Sequence, residues 1–230
     1  MMMRKKPMLA YPVSAKPIDY SKPTFIQPKL DGVRCVIQYE GKSSVDPRVV
    51  AYSRTGKEWK NIEHICMQLK PFFKKYPDVI LDGELYNHDL RNDFEQIISI
   101  VRRQKPDDID MLNSREMVQF HCYDAIDELV KFNNRHLWLT KFVPESYCVK
   151  HVKTQAVPTE SLSKVVHQQN LDAGYEGSIL RLNTEYQCKR SHSLRKFKDF
   201  HDTEATLTGW VEGKGKRAGT IGKFIAVDAD

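Results

Sequence analysis

The stretch from Gln27 to Arg34 reads Gln-Pro-Lys-Leu-Asp-Gly-Val-Arg, and it constrains the fold of this chain more than any other segment. Apolar residues typical of β-strands flank it on both sides. An Asp-Gly pair between two such runs is typical of a β-hairpin. The sequence therefore predicts a turn at Asp31-Gly32, with Lys29 at the end of one strand and Arg34 near the start of the next.

Lys29 is a candidate nucleophile within this stretch. A lysine amine attacks only after losing its proton, which requires burial or nearby positive charge. A solvated lysine at the mouth of a hairpin has the same local sequence. On this stretch alone both interpretations stay open, and the later segments decide between them.

Length and composition bound the class of protein. At 230 residues, one domain and part of a second are expected. A formal charge of +6 permits a polyanionic partner without requiring one. The five cysteines are scattered and never form a C-x-x-C pair, which argues against a disulfide framework or a zinc ribbon. No secretory signal or membrane-spanning run is present, so a cytoplasmic location is expected.

Strand and helix patterns alternate irregularly along the chain, which predicts an α+β fold. Strands are predicted at 24–26, 33–37, 49–52, 79–81, 117–126, 148–157, 176–181 and 194–198. Helices are predicted at about 62–73, with Asn61 as its cap, and at 93–104 and 133–142. A fourth helix is predicted to begin with Thr159 or Ser161 as its cap and to end at the C-terminal glycine Gly174. The apolar residues between Ile62 and Phe73 recur at helical spacing and are assigned to the core.

The pattern changes near residues 199–202, which predicts domains at 1–200 and 201–230. The second part contains two predicted strands, Glu204 to Val211 and Phe224 to Val227, joined by a basic, glycine-rich loop. Two strands are too few to close a barrel or bury a core. The sequence therefore predicts an incomplete C-terminal module.

Six short motifs occur in order along the chain: K-x-D-G-x-R from Lys29, S-R at Ser53, D-G-E at Asp82, Y-D at Tyr123, E-G at Glu176 and K-x-K at Lys196. In this order the chain resembles the covalent lysine nucleotidyltransferases, which comprise DNA ligases, RNA ligases and mRNA-capping enzymes. It is most similar to small ATP-dependent DNA ligases of the bacteriophage type. The resemblance implies a two-sheet, ATP-grasp-like adenylation domain followed by the start of a β OB-fold module.

The resemblance implies an ATP-dependent sealing reaction at a nick in double-stranded DNA. The Lys29 amine would attack the α-phosphate of ATP, and the AMP would pass to the 5′-phosphate before the 3′-hydroxyl displaces it. Such strand joining serves DNA replication, repair and recombination. The enzyme is expected to act as a monomer, in the host cytoplasm if a phage encodes it.

The charged motif residues have implied roles. Lys196 and Lys198 would hold the α-phosphate and lower the pKa of Lys29 by repulsion, and their alternation places them on one strand face. Glu84 would contact the ribose, and Glu84 and Glu176 would bind Mg²⁺ or Mn²⁺, since carboxylates suit such hard cations. A solvated basic strand and two surface acids are the alternative interpretations.

The remaining nucleotide contacts are also implied by the resemblance. Tyr123 would stack on adenine, because an aromatic face binds a base, although a core tyrosine has the same local sequence. Gln27 would read the adenine edge with its amide. Leu30, beside the nucleophile, is assigned to the same pocket.

Basic residues are the candidate phosphate and DNA contacts. Arg34 and Arg54 match family residues that touch the nucleotide or the DNA 5′-phosphate, a task that suits the bidentate guanidinium. Arg190 matches a similar position that faces DNA or phosphate. The others would contact the DNA backbone without sequence preference: Lys57, Lys214, Lys216 and Arg217. For each of these, a solvated surface residue is the competing interpretation.

Three alternatives stay open on sequence alone. An RNA ligase or a capping guanylyltransferase shares K-x-D-G, D-G-E and K-x-K. NAD⁺-dependent ligases also carry K-x-D-G, but the short segment before Lys29 and the lack of C-x-x-C favour ATP. Full-length ligases continue through a barrel whose far end positions pyrophosphate. Without that segment self-adenylation is expected to be slow, and a catalytically impaired nucleic-acid-binding fragment is the third alternative.

Overall fold

The computed structural model describes residues 5–41, 47–198 and 205–228. The chain divides into two compact units, Met1–Lys198 and Asp199–Asp230.

Two five-stranded sheets form the framework of the first unit. The first sheet contains, in spatial order, β1 (Leu9–Pro12), β10 (Arg190–Phe197), β9 (Ser178–Leu182), β2 (Thr24–Pro28) and β8 (Gln155–Ala156). The second contains β4 (Arg48–Tyr52), β3 (Val33–Glu40), β5 (Ile80–Tyr86), β6 (Gln119–Ala125) and β7 (Val149–His151). Pairing is antiparallel except between β1 and β10 and between β6 and β7.

The described part of this unit also contains five α-helices: α1 (Glu63–Lys75), α2 (Phe94–Val101), α3 (Asp108–Met117), α4 (Phe132–Phe142) and α5 (Glu160–Asp172). The apolar side of α1 supplies Ile65, Leu69 and Phe73, each fully buried with strand residues of the second sheet. Burying side chains of this size contributes roughly 1.5–3 kcal/mol each. The predicted α+β class and the core assignment of this helix are confirmed.

The predicted hairpin at Asp31-Gly32 is wrong, although both of its strands exist. β2 pairs with β9 and β8 in the first sheet, whereas β3 pairs with β4 and β5 in the second. A type I′ turn requires positive φ at both central residues, and neither Asp31 nor Gly32 has it. The segment is instead a link between the two sheets. A Cβ on Gly32 would lie 2.4 Å from the Leu85 carbonyl oxygen, so the link passes too close to β5 for a side chain.

Three other expectations differ from the structure. The strand expected at 79–81, ending in Asp82-Gly83-Glu84-Leu85, continues through Tyr86, because β5 is paired on both edges. The weak alternation at 148–157 is typical of one exposed strand, but the structure has two short strands in different sheets there, and the valines of this segment are buried. Helix α3 was not predicted, although Asp107 and Asp110 form a capping box at its start.

The side chains expected to cap two helices, α1 and α5, have different roles in the structure. Asn61 does not cap α1, because its side-chain amide donates to the backbone carbonyls of Ile100 and Asp110. Thr159 does cap α5, accepting a hydrogen bond from the Leu162 N–H at 3.2 Å. The predicted C-terminal glycine, Gly174, follows this helix with a φ of +84°.

The second unit is an antiparallel hairpin of β11 (Ala205–Glu212) and β12 (Ile221–Asp228), joined through a short 3₁₀ turn at Gly215–Arg217. Large apolar side chains on it are exposed, among them Leu207, Trp210 and Phe224. The start of the predicted strand at Glu204 lies outside the described residues. Within those residues, no helix of either unit has the length and apolar character needed to cross a bilayer.

Candidate active site

Lys29 lies at the seam between the two sheets. It follows the last residue of β2, and its backbone N–H donates to the Gly177 carbonyl oxygen at 2.9 Å. That bond fixes the link to the turn that precedes β9. The side chain is about one-fifth exposed, so the amine is partly withdrawn from water while remaining accessible to a ligand.

A cavity of about 310 Å³ opens beside the Lys29 side chain. The structure brings most of the predicted site residues into its wall. These are Gln27, Lys29, Leu30, Arg34, Arg54, Glu84, Tyr123, Arg190 and Lys196. They come from both sheets, from the link between them and, for Arg54, from the turn after β4. A mixture of cations, one carboxylate and one aromatic ring in a cavity of this kind suits a nucleotide.

Glu176 joins the nucleophile candidate to the K-x-K motif. One oxygen of its carboxylate accepts from the Lys29 ammonium and the other from the Lys198 ammonium. Phe197, between the two lysines of the motif, points the other way and stacks on His167 with ring centroids 3.6 Å apart. The alternation predicted for this strand therefore holds, with Lys196 in the cavity wall and Lys198 on Glu176.

The pKa of Lys29 is lowered, and its main cause differs from the one expected. Burial lowers it, while the charges of Glu84 and Asp31 act in the opposite direction. Repulsion by Lys196 and Lys198 is therefore not the leading effect. Burial, with Lys29 as a second cause, also lowers the pKa of Lys198. A desolvated amine of lowered pKa is the form that a lysine nucleophile requires.

Glu84 lies within β5, directly opposite Arg34 in the sheet register, and not at a strand end. Burial raises its pKa to about 7, although the charges of Arg34 and Lys29 pull it down. Its carboxylate accepts a hydrogen bond from the Tyr123 hydroxyl at 3.3 Å. This carboxyl is therefore poised to change charge near neutral pH.

The Tyr123 ring lies near two guanidinium groups, those of Arg34 and Arg181, each 5.2 Å from the ring centroid. Arg181 is nearly fully buried in the middle of β9 and donates to Asp124 at 2.7 Å. Asp124 also accepts two bonds from Arg135. Two arginines and one buried carboxylate therefore form a rigid base beneath the aromatic wall of the cavity.

Gln27 is held by the protein in a way that its predicted role did not anticipate. Its Oε1 accepts from the Arg181 Nε at 2.6 Å. Its Nε2 donates to the Thr154 hydroxyl at 2.8 Å and to the Tyr123 carbonyl at 3.3 Å. Both donors of the amide are thus engaged, so in this arrangement Gln27 orients Arg181 and Tyr123 and has no N–H free to read an adenine edge.

Arg34 is tied to a buried carboxylate. Its Nε and Nη2 donate to the two oxygens of Asp82 at 2.6 and 2.5 Å, a bidentate pair. The Tyr186 hydroxyl donates to Asp82 at 2.6 Å and accepts from the Met8 N–H at 2.7 Å. This network holds the N-terminal strand against the cavity and fixes the face that Arg34 presents to a ligand.

The remaining predicted contacts of the first unit are more exposed. Arg54 lies in the exposed turn after β4, and Lys57 lines a neighbouring cavity of about 520 Å³ that also contains Arg34, Arg54 and Glu84. Arg190 lies over the Tyr11 ring and donates to the Ala10 carbonyl at 2.5 Å. All three reach the surface around the mouth of the nucleotide-sized cavity.

The predicted contacts of the second unit lie in its turn. Lys214 and Arg217 are exposed there, as a backbone-binding role requires. The Lys216 side chain lies outside the part that the structure describes.

The donor set fits a magnesium-type ion when a nucleotide is present. Among the described residues, no group of three or more His, Cys, Asp or Glu side chains could hold a metal ion by itself. Mg²⁺ commonly uses one or two carboxylates together with substrate phosphates and water. Glu84 and Glu176, whose carboxylates both act on Lys29, meet that requirement.

Comparison with known proteins identifies the family. The model of the ATP dependent DNA ligase domain matches residues 7–198, which is most of the chain. The chain belongs to this family. The DNA ligase of an African swine fever virus isolate (Tick/South Africa/Pretoriuskop Pr4/1996) is 30% identical over 207 residues, 85% of this chain and 46% of that ligase. The DNA ligase of Halobacterium salinarum (strain ATCC 29341 / DSM 671 / R1) is 24% identical over 220 residues, 87% of this chain and 37% of the archaeal protein.

Solved structures of ligases share the fold of this ligase-family chain. A structure reported under "DNA binding with a minimal scaffold: Structure-function analysis of Lig E DNA ligases" matches 99% of this chain and 81% of its own, with 22% identity and a TM-score of 0.72. The ATP-dependent DNA ligase of bacteriophage T7 in complex with ATP matches 97% and 80%, with 17% identity and a TM-score of 0.63. Identities this low show the fold alone.

The curated relatives are viral and archaeal, and they do not single out the bacteriophage type that the motifs suggested. This chain spans about half the length of the viral ligases that it matches or less. Membership of the DNA ligase family nevertheless favours DNA ligase over the RNA ligase and capping alternatives.

Sequence reasoning missed buried residues whose hydrogen bonds hold the side chains of the ligase site in place. Arg181, Asp82, Tyr186 and Thr154 were given no role. The signal was present for Arg181, because an arginine in the middle of an apolar strand needs a buried partner. That partner, Asp124, was part of a recognised motif, but only its neighbour Tyr123 was assigned a role.

Proposed function

We propose that this chain catalyses ATP-dependent DNA strand joining through an AMP bonded to Lys29. The juxtaposition of a partly buried amine of lowered pKa with Glu176 and Lys198 carries this proposal. The nucleotide-sized cavity beside that amine contains Lys196, Glu84 and Tyr123. Phosphoryl transfer depends mainly on positioning and on positive charge, and this site offers both.

In the first step the Lys29 amine attacks the α-phosphorus of ATP. A nitrogen–phosphorus bond forms, the bond to the bridging oxygen breaks, and pyrophosphate leaves. The proton of the amine has a nearby acceptor in the Glu176 carboxylate. Lys196 and Lys198 stabilise the charge that builds on the phosphate oxygens.

In the second step the 5′-phosphate of a nick attacks the lysine-bound AMP, and the nitrogen–phosphorus bond breaks. In the third step the 3′-hydroxyl attacks the activated 5′-phosphate, and AMP leaves as the phosphodiester forms. Arg34, Arg54 and Arg190 border the cavity and would orient these phosphates. Lys57, Lys214 and Arg217 would bind the DNA backbone, and the same role is proposed for Lys216.

Glu84 and Glu176 would hold a divalent ion, Mg²⁺ or Mn²⁺, together with the nucleotide phosphates. When bound, such an ion supplies Lewis-acid charge to the phosphate oxygens. Tyr123 would provide the stacking surface for adenine, and Leu30 would pack in the same pocket. Gln27, by its contacts, would hold Arg181 and Tyr123 in place rather than read the base.

We propose a small enzyme of the bacteriophage type that acts as a monomer in the cytoplasm on nicked duplex DNA, in replication, repair or recombination. The adenylation domain would comprise residues 1–200. The hairpin of the second unit would be the first two strands of an OB-fold module, because its exposed Trp210 and Phe224 need a covering layer.

Covalent labelling tests the proposal. The protein is incubated with Mg²⁺ and ATP labelled at the α-phosphate, and its intact mass is measured. Wild type should gain one AMP, which Lys29→Ala and Lys29→Arg should both lose. Lys70→Ala, an exposed lysine of α1, is the matched control and should keep the label. The proposal would be contradicted if wild type stayed unlabelled both alone and when fused to a barrel module. Labelling by GTP instead of ATP would point to a capping enzyme.

A further inference from the structure

A half-buried histidine, His88, connects the two sheets beside the candidate active site. It begins a 3₁₀ turn (His88–Leu90) that follows β5, the strand that carries Glu84. Its Nε2 lies 3.0 Å from the Ala173 carbonyl oxygen, and its Nδ1 lies 2.7 Å from the Tyr86 hydroxyl. The first bond reaches the turn between α5 and β9, and the second returns to β5. One imidazole therefore links elements of both sheets.

The two partners of His88 determine which ring nitrogen carries the proton. The Ala173 carbonyl can only accept, so Nε2 is the donor. In the neutral ring Nδ1 is then an acceptor, and the Tyr86 hydroxyl donates to it. Burial raises the pKa of Tyr86 to about 12, so this hydroxyl keeps its proton at neutral pH. Both nitrogens are therefore satisfied, which fixes the orientation of the ring.

Further contacts from the same segment hold the turn between α5 and β9. The Tyr175 ring lies on the His88 ring, with centroids 4.4 Å apart. Arg91, which follows the 3₁₀ turn, donates to the His88 carbonyl oxygen at 3.1 Å, and its side chain lies against Gly174. Three consecutive residues of the turn, from Ala173 to Tyr175, are thus contacted by the segment that follows β5.

Glu176 is the next residue after these three. Its carboxylate accepts from the ammonium groups of Lys29 and Lys198. The carbonyl oxygen of Gly177, one residue further on, accepts from the Lys29 N–H at 2.9 Å. The position of this turn therefore decides where the carboxylate meets the candidate nucleophile.

The link that carries Lys29 returns to β5 at Gly32. A Cβ on Gly32 would lie 2.7 Å from the Glu84 side chain and 3.2 Å from the Tyr86 Cβ, so the link packs against the strand that His88 follows. Strand β5, His88, the turn before β9 and the link thus form a closed circuit of contacts. Loosening the contact at His88 would let the turn shift relative to the link.

We propose that His88 is a positioning residue, whose hydrogen bond to Ala173 holds the Glu176 carboxylate at the Lys29 amine. This inference rests on the proposed function and adds a residue that the six motifs do not contain. His88 lines neither the nucleotide cavity nor the cavity that contains Lys57, so it acts through Glu176 and not on the ligand. Placement matters in such a step, because a displacement on the order of 1 Å can slow a reaction by about 10²-fold.

Two substitutions separate the hydrogen bond of His88 from its ring contact. His88→Gln keeps an N–H that can donate to Ala173 but loses the stacking on Tyr175. His88→Phe keeps the ring and loses both hydrogen bonds. His64 is the matched control, because it is also half-buried and its Nε2 lies 3.0 Å from a backbone carbonyl, that of Val118, outside both cavities. His64→Gln and His64→Phe repeat the same chemical changes away from the site.

The first measurement is single-turnover AMP labelling of the full-length chain with Mg²⁺ over a range of ATP concentrations. His88→Phe should lower the rate at saturating ATP by about ten- to a hundredfold, because the carboxylate is displaced from the amine. The ATP concentration that gives half of this rate should be nearly unchanged, since the residues of the nucleotide cavity are intact. His88→Gln should recover most of the lost rate, and both His64 variants should label at close to the wild-type rate.

Hydrogen exchange of the same chain without nucleotide gives a readout that does not depend on activity. The Lys29 N–H is bonded to the Gly177 carbonyl and the Tyr175 N–H to the Asn170 carbonyl, so both amides report on the turn. Both should exchange faster in His88→Phe than in wild type. In His88→Gln and in the two His64 variants they should exchange at close to the wild-type rate.

The proposal is wrong if His88→Phe labels at the wild-type rate, or if His88→Gln is as slow as His88→Phe. Equal losses of labelling in His64→Phe and His88→Phe would show a general loss of stability and would also overturn it. So would unchanged exchange at both amides in His88→Phe, whatever the labelling. A wild type that takes no label would refute the proposed function instead. Faster exchange at Lys29 in His88→Phe, but not in His64→Phe, would then still show that His88 holds this turn.

Discussion

The Lys29 ammonium forms an ion pair with the Glu176 carboxylate, across the seam where the link from β2 meets the turn before β9. The same carboxylate holds Lys198. Glu176 thus serves the nucleophile in two ways, by accepting its proton and by aligning it with the second cation. Both groups are only partly buried, which leaves room for a phosphate to exchange with the carboxylate as a partner of the lysines.

Replacing Glu176 by glutamine should separate catalysis from stability. The amide keeps the shape but carries no charge, so both ion pairs are lost and the amine loses its proton acceptor. We expect AMP labelling to slow by about 10²-fold or more, comparable with the loss of one electrostatic group in an active site. The free energy of unfolding should change by less than about 1 kcal/mol, because the pair is partly solvated. Labelling at the wild-type rate would show that Glu176 has no part in the reaction.

Replacing Asp124 by alanine should destabilise the whole first unit. Asp124 is fully buried and accepts hydrogen bonds from Arg135 and Arg181, so its removal leaves two buried guanidinium groups without a counter-charge. Breaking a buried pair in this way costs about 3–5 kcal/mol. Chemical denaturation measures this loss. Glu128→Ala, which breaks the exposed pair with Lys5, is the control and should leave the denaturation midpoint close to that of wild type.

Gly177 should not accept a side chain. Its φ is +143°, and a Cβ there would lie 2.3 Å from the Phe197 carbonyl oxygen, a backbone atom that cannot move aside. Strain and overpacking together predict a loss of about 3 kcal/mol or more for Gly177→Ala. Gly174→Ala is the matched control, because its φ is also positive but its nearest neighbour is the flexible Arg91 side chain. The control should lose only about 1–2 kcal/mol in the same denaturation experiment.

The raised pKa of Glu84 predicts a pH-dependent stability. Burial moves this pKa from 4.5 to about 7, so between these values the folded protein keeps a proton that the unfolded chain has lost. The contribution is therefore full below pH 4.5 and disappears as the pH rises through 7. The unfolding free energy of wild type minus that of Glu84→Gln should fall by up to about 3 kcal/mol across this range, measured without divalent ions. If the difference in unfolding free energy between wild type and Glu84→Gln did not change with pH, the raised pKa of Glu84 would be contradicted.

The lowered pKa of His121 predicts a pH dependence of the unfolding free energy that is opposite in sign to that of Glu84, in an overlapping pH range. Burial, helped by Lys150 and His88, lowers its pKa from 6.5 to about 4. Its stabilising contribution is full above pH 6.5 and is lost as the pH falls through 4. Titrating His121→Gln against wild type should reveal a loss of up to about 3 kcal/mol on acidification.

Patterns within a short stretch of sequence were sufficient to predict helices and their caps, because these depend on neighbouring residues. The helix from Glu63 to Lys75 follows from its apolar spacing, and the cap at Thr159 from a side chain that accepts from its own helix. The grouping of Lys29, Glu84 and Lys196 around one cavity followed from the order of motifs that a family shares. Propensity alone gives no reason for those three residues to meet.

Strand partners were not predictable in the same way. The hairpin at Asp31-Gly32 was the simplest connection between two adjacent strands, and only the non-local pairing of β2 with β9 overrides it. The roles of Arg181 and Gln27 also depend on residues far away in sequence, which a local pattern does not contain. The split of the expected strand at 148–157 has the same cause, because its two halves have different partner sheets.

The link from Pro28 to Val33 joins strands whose partners lie in different sheets, and the candidate nucleophile sits on that link. One sheet carries Glu84 and the other leads into Glu176 and the paired lysines. Neither half, folded without the other, would possess a working centre. A refolding chain should therefore be able to form the covalent AMP adduct only after the two sheets have packed together. The rate at which this ability returns during refolding would report the rate of that packing step.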